Sequence, residues 1–313
     1  VRSERRPAAR PGRVLVALAA AAASGLACDS PASGAPAAVV WTGRPGAAEI
    51  AIVAADGVEL GTAALAPALD GPPLALAVGA DGRVVVLQDA PEGAPHGVVL
   101  DRAGARVGAL ASLDSNGDPV FAAPPWAAAV LPDGEIWVTG GLAPARVGPD
   151  GAFRGFAPAL SLPTHGIAAL PDGRVVVTWG ANRAAVYPPG GGAPVALEPA
   201  LGPPSVYHGL DALLALPDGT LLVGARRWTD VTSGLVVHAR VDGSALEPVS
   251  DPALAATIPG QLPSALARLG DDVLAAPALA GVQACIVRLS ADLRASKGCL
   301  APGPHRGVAV VGR

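Results

Sequence analysis

Five times along the chain an apolar stretch runs into an Asp-Gly or Asp-Asp pair and straight out into a second apolar stretch. Leu131-Pro132-Asp133-Gly134, Leu170-Pro171-Asp172-Gly173 and Leu216-Pro217-Asp218-Gly219 are the clearest copies, with Ala80-Asp81-Gly82 before them and Gly270-Asp271-Asp272 after. Asp-Gly between strand-like runs specifies a tight hairpin, because Gly takes positive φ without steric cost and the Asp carboxylate bonds its own turn. A hairpin that recurs is a repeat. The turn aspartates Asp81, Asp133, Asp172, Asp218 and Asp271 are separated by 52, 39, 46 and 53 residues, room for four short strands in each unit.

The amino terminus reads as an address. Arg2, Arg5, Arg6, Arg10 and Arg13 against Glu4 give a positive start, an apolar run follows from Val14 to Ala27, and Cys28 closes it. That order is the order of a secretory signal peptide, and the run is shorter than the roughly 20 residues that span a bilayer. Ser24-Gly25-Leu26-Ala27-Cys28 resembles a bacterial lipobox, with Gly25 where that pattern has Leu. The resemblance implies a signal peptide over 1–27, a lipid on Cys28 and a membrane attachment through that lipid alone, on the periplasmic or outer surface of the envelope. Ordinary cleavage among the alanines, leaving Cys28 a free thiol, is the alternative. Residues 28–38, rich in Ser, Pro, Ala and Gly, form a tether, and the folded domain is expected over 39–313.

Taking the five arginines and one glutamate of the leader from the 22 basic and 26 acidic side chains leaves 17 and 25, a formal charge of about −8. Nucleic acid is therefore an unsuitable partner. Although 51% of residues are hydrophobic, no apolar run after Cys28 reaches membrane-spanning length.

With the hairpins as landmarks, repeats fall at 73–110, 126–158, 165–199, 208–250 and 262–300. Gly166 to Leu170, the Pro171-Asp172-Gly173 turn, Arg174 to Thr178 and the alternating strand after Asn182-Arg183 make a unit that resembles the NHL and YVTN types of β-propeller repeat. Residues 39–66 supply three more strands, while Gly307 to Val311 has no partner of its own. Joining the two completes a sixth blade and removes every open sheet edge. The expected fold is all-β, a six-bladed β-propeller closed by pairing of the C-terminal strand with the N-terminal blade, and monomeric. A β-sandwich is the alternative.

Strand order sorts the loops onto two faces. Asp56, Asp81, Asp133, Asp150, Asp172, Asp218 and Asp242 fall in tight turns on one face, where each has a turn-forming role. The longer loops gather on the other, where function is more often found. His165, His208 and His305 precede the innermost strands of blades 4, 5 and 1. The trio resembles the zinc-holding histidines of propeller amidating lyases, which implies a metal with an open position; the alternative is that each caps a strand entrance. The segment from Tyr207 to Val223 resembles the catalytic-His repeat of quinoprotein sugar dehydrogenases, with Asp211 placed either to orient His208 or to sit in a buried polar pair with an Arg. No cofactor is specified by the sequence.

Trp126, Trp179 and Trp228 fall on loops of the same face, and Arg226, Arg227, Trp228 and Asp230 form its best patch, in residue types enriched at binding hot spots. The alternative is packing between blades. Asp114-Ser115-Asn116-Gly117-Asp118 resembles the start of a calcium loop but lacks its later ligands, and reads as a polar Asx turn. Cys285 and Cys299 flank a hairpin centred near Asp292 and are expected to oppose each other as a disulfide. Nucleophile elbows, Walker loops and zinc-protease motifs are absent from the sequence. The functional expectation is an envelope lipoprotein that binds a protein, peptide or glycan through its loop-rich face; a propeller enzyme with histidines at the channel mouth is the alternative.

Overall fold

The computed structural model describes residues 38–313 apart from 45, 64–68, 92–93, 115, 122–123, 181, 198–200, 202–206, 228–229, 260–261, 278–283, 304 and 313, and apart from the side chains of 61–63, 207–208, 227, 230–232, 252, 259 and 312. All described residues lie in one unit, Pro36–Arg313. Six antiparallel sheets make up the fold, and the one helical turn among the described residues is Pro252–Leu254.

Each sheet is one blade. From the inside outward, blade 2 runs Pro73–Val78, Val84–Gln88, Gly97–Leu100 and Arg106–Ala109; blade 3 runs Ala128–Val130, Ile136–Val138, Ala145–Val147 and Phe153–Phe156. Blade 4 runs Thr164–Ala169, Val175–Trp179, Arg183–Tyr187 and Val195–Leu197. Blade 5 runs Tyr207–Ala215, Leu221–Arg227, Asp230–Asp242 and Ala245–Pro248, with Thr257–Pro259 added beside its third strand. Blade 6 runs Pro263–Leu269, Asp272–Pro277, Cys285–Leu289 and Ser296–Pro302. Blade 1 takes its innermost strand, Arg306–Gly312, from the end of the chain and the rest, Ala38–Gly43, Ile50–Ala54 and Glu59–Ala63, from its beginning. The six innermost strands neighbour one another in a closed cycle. This is the expected six-bladed propeller, closed by its own C-terminal strand.

The core follows from strand alternation. Successive side chains of an innermost strand point to opposite faces of its blade, so Ala129 packs with Ile167, Val175 and Val177 of blade 4, while Ala128 and Val130 pack toward blade 2. Valine-rich second strands, such as Val84–Gln88 and Val175–Trp179, are buried along their whole length because a neighbour covers each face.

Six of the seven turn aspartates show the local role expected of them, while the Asp242 carboxylate lies 3.5 Å from the Arg240 guanidinium. The carboxylates of Asp56, Asp81, Asp133, Asp150, Asp172 and Asp218 each accept the N–H two residues on, at 3.0–3.2 Å. Asp114 does the same for Asn116 and also takes the N–H of Asp118, an Asx turn.

The cysteine register differs from the expectation. Cys285 faces Pro302 and Cys299 faces Val287, because bulges between Ile286 and Val287 and between Arg288 and Leu289 each insert a residue into the outer strand. The two thiols are therefore diagonal neighbours and are unbridged. Burial, with the adjoining Cys285 thiol, pushes Cys299 up to about 12, so little reactive thiolate is present at neutral pH.

Candidate site at the mouth of the central channel

The channel on the propeller axis is lined by one triplet from each innermost strand: Leu76–Val78, Ala128–Val130, residues 167–169, 213–215, 266–268 and 308–310. Two residues before each triplet, on the loop-rich side, stand Leu74, Trp126, His165, Asp211, Ser264 and Arg306, one from each blade. Five of the six innermost strands carry a bulge at this level, and a bulge re-aims side chains at the rim of a closed sheet.

Three of these rim side chains meet. His165 Nδ1 lies 3.2 Å from Asp211 Oδ1, and the imidazole packs on the Trp126 indole with centroids 4.7 Å apart and planes inclined at 43°. Trp126 is 48% exposed, whereas the His165 and Asp211 side chains are 25% and 13% exposed. The arrangement is an open aromatic surface backed by a sheltered polar pair. With Nδ1 turned to the carboxylate, the imidazole orientation is set and Nε2 is left without a protein hydrogen-bond partner among the described residues.

Buried threonines set this geometry. Gly166 N–H donates to Thr178 Oγ1 at 2.9 Å, and that hydroxyl donates to the Leu210 carbonyl of blade 5. Thr139 donates in the same way to the His165 carbonyl of blade 4, while its backbone carbonyl accepts the N–H of Trp126. A Cβ on Gly166 would lie 2.9 Å from the Asp211 carbonyl oxygen and 3.0 Å from Thr178 Oγ1. Glycine is required here because strands of blades 4 and 5 approach backbone to backbone, and that approach places Asp211 beside His165.

The remaining expected residues are dispersed. Asp211 serves His165 of the preceding blade, a correction to its assignment beside His208, whose side chain lies outside the described residues. Trp179 is 5% exposed and its Nε1 has no partner, so it packs beneath the face and is not presented on it. His305 is 7% exposed, with Nε2 3.3 Å from the Pro302 carbonyl; burial holds its pKa below the ordinary histidine value. Among the described residues no three His, Cys, Asp or Glu side chains gather as a metal site. Arg226 is half-buried in the backbone register opposite His208. Cys28, Trp228 and the side chains of Arg227 and Asp230 lie outside the described residues. Thr139, Thr178 and the Asp211 pairing were missed by sequence reasoning; aligning the repeats on their innermost strands would have placed His165 and Asp211 at equivalent positions.

No protein-family model matches the chain, and no curated protein matches it. Solved structures do. A protein of unknown function from Bacteroides caccae superposes with a TM-score of 0.54 at 11% identity, over 88% of this chain and 99% of that one. Apo AztD from Citrobacter koseri gives 0.50 at 10%, over 89% and 99%. U3-55K gives 0.52 at 10%, over 84% and 78%. At such identities the likeness is one of fold.

Proposed function

We propose that this protein is a binding module of the cell envelope, held there by a lipid on Cys28, that takes a peptide or glycan segment of a partner at the loop-rich mouth of its channel. The observation that carries the reading is the half-exposed Trp126 indole stacked on a His165 imidazole that Asp211 holds in place. An exposed tryptophan is costly unless something covers it, and tryptophan leads the residue types at binding hot spots. His165 Nε2 supplies directional recognition of a hydroxyl or amide beside that platform. The same reading takes the repeat to be of NHL and YVTN type, supported by the resemblance of residues 166–187 to those repeats.

Screening the mature protein on glycan and peptide arrays, then titrating a hit by tryptophan fluorescence, tests the reading. Trp126→Ala is expected to weaken binding about 30-fold, equivalent to about 2 kcal/mol, with the denaturant midpoint unchanged. Wild-type affinity in that variant would remove the site from the face.

A second reading, a propeller enzyme, is favoured by the same His165–Asp211 pair, since a carboxylate on Nδ1 makes Nε2 an oriented base. Turnover lost in His165→Ala but kept in Trp126→Ala would favour it; metal found by elemental analysis of native protein would favour the His165, His208 and His305 version.

Export also bears on the cysteines. In an oxidising compartment the neighbouring Cys285 and Cys299 thiols are expected to join, closing a loop that contributes about 3 kcal/mol in the chain-entropy model. Intact-mass analysis of the exported protein should show the loss of two hydrogens and no alkylation before reduction; two free thiols would rule out the bridge.

A further inference from the structure

Beside the Trp126 rim, the loop-rich face holds a second concavity, of about 300 Å³, where blade 3 meets the segment that enters it from blade 2. Its floor belongs to the core, Val120 and Val138 being buried. Its walls do not. Leu142 and Phe156 are half-exposed, Phe156 standing 4.9 Å from Phe153 and inclined to it at 65°, and Phe121 closes the side toward blade 2, where His96 meets it edge-on. Large apolar side chains left open around a cavity mark an interaction site. Gly140, in the wall, adjoins the rim: a Cβ there would lie 3.1 Å from Pro125 Cα and 3.4 Å from the Trp126 nitrogen.

The polar groups of this wall are already engaged. Thr139 carries the one hydroxyl of the lining, which donates to the His165 carbonyl and accepts the Ala127 N–H at 3.1 Å. The Gly140 N–H donates to Thr164 Oγ1 at 3.2 Å, that hydroxyl donates to the Gly141 carbonyl at 2.8 Å, and the Leu142 carbonyl accepts the Leu160 N–H at 2.8 Å. A sugar seated here would bury hydroxyls with no free side chain to meet them. An apolar side chain carries no such cost.

The formal charge around the cavity has one sign. The segments that form and border it, 89–96, 110–127, 139–144 and 157–164, contain Asp89, Glu92, Asp114 and Asp118, one imidazole at His96, and no Lys or Arg. The next arginines along blade 3, Arg146 and Arg154, are engaged by Glu135 at the turn-bearing end of the blade. Asp118, next to Pro119 of the cavity lip, is exposed, and its carboxylate takes no hydrogen bond or ion pair among the described residues.

We propose that this cavity takes a large apolar side chain, leucine or phenylalanine, from an extended basic segment of a partner protein, whose flanking lysines or arginines face Asp118 and the neighbouring carboxylates. The proposal rests on the loop-face reading for its choice of face and deepens it by naming the partner as a basic peptide. The chain as a whole is negative, which steers such a segment toward it.

An array of capped hexapeptides with leucine or phenylalanine at the centre, flanked by lysine, by glutamate or by serine, tests this, with hits titrated in solution. Lysine-flanked members are expected to bind about tenfold more tightly than their glutamate-flanked counterparts and to lose that advantage at high salt. Replacing the central residue by serine should remove binding. Leu142→Ser and Phe156→Ser should each weaken the lysine-flanked hits about tenfold with the denaturant midpoint unchanged, since both side chains are already open to water. Asp118→Lys should weaken the same hits and leave serine-flanked peptides unaffected. Preference for glutamate or serine flanks, absence of any peptide hit, or indifference to both wall substitutions would each overturn the proposal. A glycan hit lost in Trp126→Ala but indifferent to the wall substitutions would overturn it and leave the loop-face reading in place. Peptide binding lost in the wall variants and kept in Trp126→Ala would support it and count against the platform.

Discussion

Removal of residues 307–313 is expected to abolish cooperative unfolding of this protein. That segment supplies the innermost strand of blade 1, in which Val39 pairs with Val311, Val40 with Val310 and Trp41 with Ala309. Val308, Ala309 and Val311 are 1–3% exposed, and the side chains they cover, Val40 and Trp41, are at 0% and 2%. Losing two buried valines and uncovering a third plus a tryptophan costs more than about 5 kcal/mol at about 25 cal/mol per Å² of apolar surface, as much as the whole stability of many domains. Thr42 also loses the Gly307 carbonyl to which its hydroxyl donates at 3.0 Å. The seam to blade 6 is left open, although Arg288 still reaches the Ala55 carbonyl across it. Denaturant titration of the truncated chain should show a broad, early transition; an unchanged midpoint would exclude closure by this strand.

Glu135→Ala is expected to be the most damaging single substitution on the turn-bearing face, by about 3 kcal/mol in denaturant-derived stability. The carboxylate is 7% exposed; it accepts Trp137 Nε1–H at 2.6 Å and Arg146 Nε–H and Nη2–H at 2.7 and 3.1 Å, with Arg154 at 3.8 Å. Truncation strands the indole N–H and a guanidinium that lies 5.6 Å over the same indole and is only a quarter exposed, and unpaired buried charge carries the larger part of the loss. Glu135→Gln, which keeps one acceptor oxygen, should lose about half as much. The pH dependence has the same source. Burial opposes ionisation of Glu135, but the bonds from Arg146 and Trp137 outweigh it and hold its pKa below the ordinary 4.5. Asp272 is held below 3.8 by the bond from Lys297, burial opposing and Arg288 assisting. For carboxyls depressed on folding, the stabilisation is complete above the unfolded value and is lost as pH falls through the folded one. Stability should therefore be level near neutrality and fall below about pH 4.5, less steeply in Glu135→Gln; a wild-type acid slope in that variant would contradict the assignment.

How much of this could be read in the sequence depended on whether the cause was local. Asp133-Gly134 and its copies form their turns from their own atoms, so their number and spacing disclosed the blades, and the unpartnered run from Gly307 to Val311 disclosed how the ring closes. His165 and Trp126 were recognisable because rare side chains preceded innermost strands. Their partner was not, since Asp211 reaches His165 only through a backbone contact between blades that depends on Gly166 and Thr178, residues with no unusual neighbours in sequence. The register of the two cysteines was misjudged for a related reason: each bulge in the outer strand of blade 6 adds a residue, and equal spacing about Asp292 cannot register that. Trp179 carried the same compositional signal as Trp126, yet lies in a second strand sealed on both sides.

The rim of the channel has a further property. Leu74, Trp126, His165, Asp211, Ser264 and Arg306 occupy equivalent seats, one per blade, and no two are the same residue. Each seat lies at the mouth end of its strand, so the six side chains form a short alphabet written on one frame, although Leu74 also packs against the core between blades 2 and 3. Such a frame can be reworded one letter at a time. Exchanging Ser264, whose hydroxyl bonds to the Pro277 carbonyl of its own blade, would alter the chemistry of the mouth without disturbing the seams that hold the ring together.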